Sequence, residues 1–172
     1  EELLDEFLVE RLVQRELERI RAASELAEGV LMDLLDALDR GDRGSQEVTE
    51  RSLAADFEYA FKKRGASGPA FDTIALFGAR SSLPHGQPGD NPLKKGDIVL
   101  LDLGCRRAGY CSDLTRTYAY GTIPGAWFEE IYRITLAAQE AALRAVRPGV
   151  RCHEVDAVAR DRIREAGYAK QF

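Results

Sequence analysis

Residues 96–117 read GDIVLLDLGCRRAGYCSDLTRT. The first arm, residues 97–105, is rich in β-branched and aliphatic side chains, and residues 110–120 are strand-like as well. Between them Arg106-Arg107-Ala108-Gly109 is short, polar and ends in glycine, a pattern that predicts a β-hairpin. A turn centred between Arg107 and Ala108 gives one register whether its loop holds two residues or four. Cys105 then lies opposite Tyr110, Gly104 opposite Cys111, and Asp102 opposite Asp113.

Directly opposed residues on one face of an antiparallel pair have Cβ atoms roughly 4.5–5.5 Å apart, and like charges placed there destabilise the sheet. A shared proton, a cationic side chain or a metal ion would compensate. Arg116 is three residues beyond Asp113 and alternates to the other face of its strand, so it is a poor counter-ion. The neighbours Ile98, Leu100, Leu101, Leu103 and Leu114 are apolar, which argues against a solvated edge. A divalent cation between hard oxygen ligands fits best. The other reading is a surface hairpin with two solvated aspartates.

The stretch resembles the metal-binding hairpin of the pita-bread metallopeptidases, in particular the Xaa-Pro dipeptidase and aminopeptidase P group. The matching residues are Asp102-Leu103-Gly104 and Gly109-Tyr110-Cys111-Ser112-Asp113-Leu114-Thr115-Arg116-Thr117. The resemblance implies that Asp102 and Asp113 are ligands of a two-metal centre, with manganese first and cobalt or zinc as alternatives. It also implies an α/β (α+β) fold, an antiparallel sheet covered by helices. A loop histidine beside the substrate maps onto His85, in Ser81-Ser82-Leu83-Pro84-His85-Gly86. Its implied role is to hydrogen-bond the substrate or assist proton transfer, not to ligate metal.

The resemblance extends from about residue 18 to 172. Residues 1–11 look like the remnant of a linker, and residues 12–172 like the first half of the catalytic domain. The family's later histidine and two glutamate ligands have no counterpart here. The chain, which starts with Glu1, is therefore expected to be a processed or excised product, inactive alone and associating with itself or a complementary segment. The implied substrate is a short peptide cleaved before a proline at its second position. The runner-up is a non-catalytic binding module or pseudo-enzyme on the same fold.

The 172 residues, 45% apolar and 31% charged, suit one soluble globular domain or part of one. A net charge of -5 leaves no basic footprint for nucleic acid. There is no apolar run near 18 residues and no signal-peptide pattern, so no membrane partner is expected. Cys105, Cys111 and Cys152 are an odd number without CxxC spacing. They predict small buried thiols, neither disulfide-bonded nor holding zinc, in a reducing, cytoplasmic setting.

Around the hairpin, residues 3–38 predict one or two amphipathic helices and residues 41–45 a loop. A helix starts after Thr49 as N-cap, runs through Leu53, Phe57 and Phe61, and stops at Gly65. Residues 71–77 predict a strand, 78–92 a loop, 126–146 a helix stopped by Pro148-Gly149, and 152–166 a last helix. His153-Glu154-Val155-Asp156 only superficially matches the HExxH zinc helix, because Ala157 stands where the second histidine belongs. It predicts a solvated helix face. No internal repeat is found.

Overall fold

The computed structural model describes residues 2–42 and 47–172. Residues 43–45 of the expected 41–45 loop, and Glu1 of the expected linker, lie outside the described residues. The backbone divides after Thr122 into two compact units.

In the first unit, the apolar run at the chain's start forms a single helix, α1 (Glu2–Arg40). The expected linker boundary near Arg11 therefore falls inside a helix. Its buried positions, Ala23, Leu26, Ala27, Val30, Leu31 and Leu38, recur every three or four residues, so one stripe faces the core. Helix α2 (Glu50–Lys63) starts at Thr49, whose hydroxyl accepts from Ser52 N at 3.1 Å while Ser52 Oγ accepts from Thr49 N at 2.9 Å. This reciprocal cap satisfies two donors at the helix start. The helix buries Leu53, Phe57 and Phe61, and Gly65 follows its C-cap with φ of 90°.

These helices cover one face of a three-stranded antiparallel sheet, β2 (Ile74–Phe77), β3 (Ile98–Leu103) and β6 (Leu114–Ala119), in the order β2-β3-β6. Val99, Leu101 and Leu103 of β3, with Ala75 and Phe77 of β2, join the helical core. Period-two alternation sends Leu100 and Asp102, with their partners Leu76, Ile74 and Thr115, to the opposite face. A second small sheet has the order β1-β4-β5, made of β1 (Gly68–Pro69), β4 (Cys105–Arg107) and β5 (Tyr110–Cys111). Pro69 is tolerated because β1 is an edge strand.

The expected hairpin register is corrected by two residues. Arg107 pairs with Tyr110, Arg106 with Cys111, and Asp102 with Thr115, not with Asp113. The loop is Ala108-Gly109, with φ of 49° and 84°. Positive φ at both central residues is the type I′ turn that matches strand twist. The loop holds two residues, and the turn centre moves one residue along, to between Ala108 and Gly109.

The expected continuous arms are each broken, at Gly104 on one side and at Ser112-Asp113 on the other. There the hairpin passes from one sheet to the other. A Cβ on Gly104 would overlap the Ser112 carbonyl oxygen, so only glycine fits. Ser112, buried, bridges the break: its hydroxyl accepts from Cys105 N at 3.0 Å, and its own N–H donates to Cys105 O at 2.9 Å. The expected strand over 71–77 begins only at Ile74, opposite Asp102, because its partner leaves this sheet just beyond, at Gly104. The expected 78–92 loop opens with a 3-10 turn, Gly78–Ser82.

One buried carboxylate ties this loop down. Glu50, with no exposed surface, accepts at Oε1 from Phe77 N (3.0 Å), Arg80 Nε (3.1 Å) and Asn91 Nδ2 (3.3 Å). Its Oε2 accepts from Gly89 N (2.9 Å) and Arg80 Nε (3.0 Å). Burial pushes the carboxyl up, but the Gly89 and Phe77 N–H groups, Asn91 and Arg80 outweigh it and hold Glu50 below the usual glutamate range.

The second unit packs α3 (Ala126–Ala145) against α4 (Cys152–Glu165), burying Ala138, Ala141 and Ile163. Trp127, Ile131, Tyr132, Leu136 and Leu143 of α3 remain exposed. His153 and Asp156 are exposed on α4, where Asp156 pairs with Arg160 at 2.6 Å, as a solvated face would. Among the described residues no helix is long and apolar enough to cross a membrane. All three cysteines are free. Cys105 is buried as expected, whereas Cys111 and Cys152 are exposed.

Two stability measurements follow. Gly104→Ala should cost at least about 1–3 kcal/mol in urea unfolding, because the new methyl displaces the Ser112 backbone. For Glu50, the folded pKa lies below the unfolded value of about 4.3. Its contribution is therefore present above that value and lost as pH falls through it toward the folded pKa. Glu50→Gln should cost about 2–3 kcal/mol at pH 7, less than a fully buried pair because Arg80 is 40% exposed. Urea titrations should show the gap from wild type narrowing as pH falls below about 4.

Candidate metal centre

Asp102 reaches the site from the middle strand of the first sheet. It is half-buried, and its Oδ1 accepts from Thr115 Oγ1 at 3.0 Å. A hydroxyl bound to one carboxylate oxygen fixes the orientation of the group, the usual service of a residue behind a metal ligand. Asp113 sits at the seam between the sheets and is exposed. Counting from either ladder, it lies level with Gly104, two residues along from Thr115.

The two aspartates are thus diagonal rather than direct neighbours. In a regular sheet that widens their separation from roughly 5 Å to roughly 7–8 Å. The repulsion that called for compensation is correspondingly weaker, since Asp102 faces a hydroxyl and not a second carboxylate. A slip of two preserves the side-chain alternation, and Asp113 itself stands in the break between β5 and β6, outside both ladders. Arg116 pairs with Leu101 and lies on the alternate face from Asp102, as the sequence predicts.

His85 is exposed on the loop after the 3-10 turn. The loop lies on the Asp102 side of the sheet: a Cβ on Gly86 would sit 2.7 Å from Leu76 Cδ1, and Leu76 pairs with Leu100. The fold therefore brings the His85 loop and Asp102 to one face. His153 and Asp156 belong to the other unit.

As a donor set, Asp102 and Asp113 supply hard oxygens suited to Mn, Mg or Zn, but only a fraction of the coordination such ions require. Among the described residues there is no group of three or more His, Cys, Asp or Glu side chains able to hold a metal ion. The residues present fit part of a metal centre.

Sequence reasoning did not single out Ser112, Thr115 or Glu50. The first two lie inside the Ser-Asp-Leu-Thr-Arg-Thr run, where the signal was a hydroxyl on either side of an aspartate. Glu50 had only the sign of an acidic residue in the first turn of a helix, and its partners are 27–41 residues away.

The model of metallopeptidase family M24 matches residues 18–172. The chain is 43% identical over 157 residues to an uncharacterized peptidase of Staphylococcus saprophyticus, covering 91% of this chain and 43% of that protein. It is 42% identical over 159 residues to the Xaa-Pro dipeptidase of Pyrococcus furiosus, covering 92% and 44%. Among solved structures, the X-Pro aminopeptidase of Thermotoga maritima superposes with a TM-score of 0.82 at 38% identity, over 91% of this chain and 43% of that one. The chain spans less than half the length of these relatives. With the hairpin, its two aspartates and a match over most of its length in agreement, the chain belongs to metallopeptidase family M24 and takes the fold of the N-terminal half of the pita-bread catalytic domain.

Proposed function

We propose that this chain supplies one wall of a dinuclear metal site that hydrolyses the peptide bond before proline in short Xaa-Pro peptides. The observation that supports the reading is the hairpin crossing, which carries Asp102 near the end of β3 and Asp113 in the break two residues along from Thr115, whose hydroxyl donates to Asp102. Asp102 and Asp113 would hold the metal ions, manganese first and cobalt or zinc next. When bound, the ions supply Lewis-acid polarisation of the scissile carbonyl and an activated water.

The remaining work falls to the chain's own residues. Thr115 keeps the Asp102 carboxylate in one orientation. Leu100, half-buried on the same face, offers apolar surface that suits a proline ring, over the buried side chains of Leu76 and Ile74. His85 donates a hydrogen bond to the substrate or moves a proton at its imidazole nitrogen. Residues 12–172 form this part of the catalytic domain, with residues 1–11 leading in, and activity is assigned to a polypeptide of the relatives' length. The unbridged thiols support a reducing, cytoplasmic setting. The apolar side chains exposed on α3 support association with a complementary segment or a second copy.

A metal-free binding module is the second reading, favoured by the lack of a third clustered donor among the described residues. Manganese binding and Xaa-Pro dipeptide hydrolysis, measured on a polypeptide of the relatives' length, separate the two. Asp113→Asn should abolish stoichiometric manganese and turnover together, and Thr115→Val should weaken manganese affinity about 10-fold. A wild type that neither binds metal nor cleaves, yet retains affinity for a peptide, would establish the binding module instead.

A further inference from the structure

The network around Glu50 has a feature that a simple ion pair lacks. Its two carboxylate oxygens accept main-chain N–H groups from opposite ends of one loop, Phe77 at the entry and Gly89 at the exit. Arg80 binds both oxygens and reaches across the loop to Gln87 O at 2.7 Å, two residues from His85. Asn91 joins Glu50 to Phe77 O, and Glu50 N donates to Asn91 O at 3.1 Å. Apolar packing does little to hold the loop tip, since Ser82, Leu83, Pro84 and His85 are exposed. Gly86 passes close over Leu76.

We infer that Glu50 and Arg80 are positioning residues for His85. By clamping both ends and the inner span of the 78–91 loop, they set where the imidazole stands over the face that carries Asp102. The inference rests on the peptidase reading for the purpose of that placement, but the placement itself is measurable without turnover. A carboxylate suits the task because each of its two oxygens accepts a main-chain N–H, whereas a glutamine amide has one acceptor oxygen and would turn its NH2 toward the other donor.

The chain has only two histidines, His85 and His153, so a histidine-labelled sample of the 172-residue chain gives one reporter at the loop and one control in the other unit. Arg80→Ala should shift and broaden the His85 imidazole signals. Amides of residues 78–91 should lose hydrogen-exchange protection about 10-fold or more, while His153 and the β3 amides keep their wild-type behaviour. Arg80→Lys, which restores the charge but not the reach to Gln87, should fall between. In the metal-loaded polypeptide of the relatives' length, Arg80→Ala should lower kcat about 10- to 100-fold with manganese content unchanged. Unchanged His85 signals, loss of loop and β3 protection in step, or an unchanged kcat would each overturn the inference. An inactive wild type defeats the peptidase reading instead, and the imidazole and exchange data then decide the clamp by themselves.

Discussion

The close approach of Gly104 to the Ser112 carbonyl is the constraint on which the hairpin depends. At that point one pair of strands leaves the three-stranded sheet and enters the smaller one. The ladder would lose a bond there, and the Ser112 hydroxyl restores it by accepting the Cys105 N–H. An unmade hydrogen bond in this buried position would cost about 1–3 kcal/mol. Both candidate metal-binding carboxylates take their places from this crossing. Asp102 is the second-last residue of its strand, and Asp113 stands in the gap itself. Neither could be moved without changing the residue on which the strands turn.

Charge is distributed unevenly around this frame. The ion pairs Arg51–Asp90, Arg144–Glu140 and Arg160–Asp156 are exposed at both partners, and pairs of that kind contribute about 0–1 kcal/mol each. Glu50 differs because its desolvation is answered by five hydrogen bonds, from Phe77, Gly89, Asn91 and, to each of its oxygens, Arg80. Among the described residues, the one fully buried carboxylate is thus committed to the loop that carries His85.

Much of this architecture was legible in the residues. The helical stripes, the Thr49 cap, the Gly65 stop and the hairpin arms follow from periodicity and turn chemistry, which are local. The register was not, because the turn was centred one residue early, between Arg107 and Ala108, and the left-handed conformation of Ala108 has no sequence signature. The two-sheet crossing and strand β1 depend on a backbone approach between residues far apart, and only the lack of a side chain at Gly104 hinted at it. Asp102, Asp113 and His85 were named from a motif. The pairing geometry first offered for the aspartates was replaced by a diagonal one, and the hydroxyl of Thr115 took the position assigned to a second charge.

The hairpin tip is fastened to the first helix by contacts of very long range. Cys105 Sγ lies 3.4 Å from Ala23 O, Arg107 donates to Ala22 O, and Tyr110 donates to Glu16, across 82–94 residues of sequence. Such closures are the slow ones, since chain entropy must be lost before they form. On the ribosome, α1 is made before its partner exists. Roughly 70 residues separate the end of the helix from the hairpin tip, so at roughly 5–20 residues per second the helix waits about 4–14 s for the strands, with only α2 able to pack on its apolar stripe before then. The charged residues interleaved through α1 suit a helix that must wait in water for the strands it packs against.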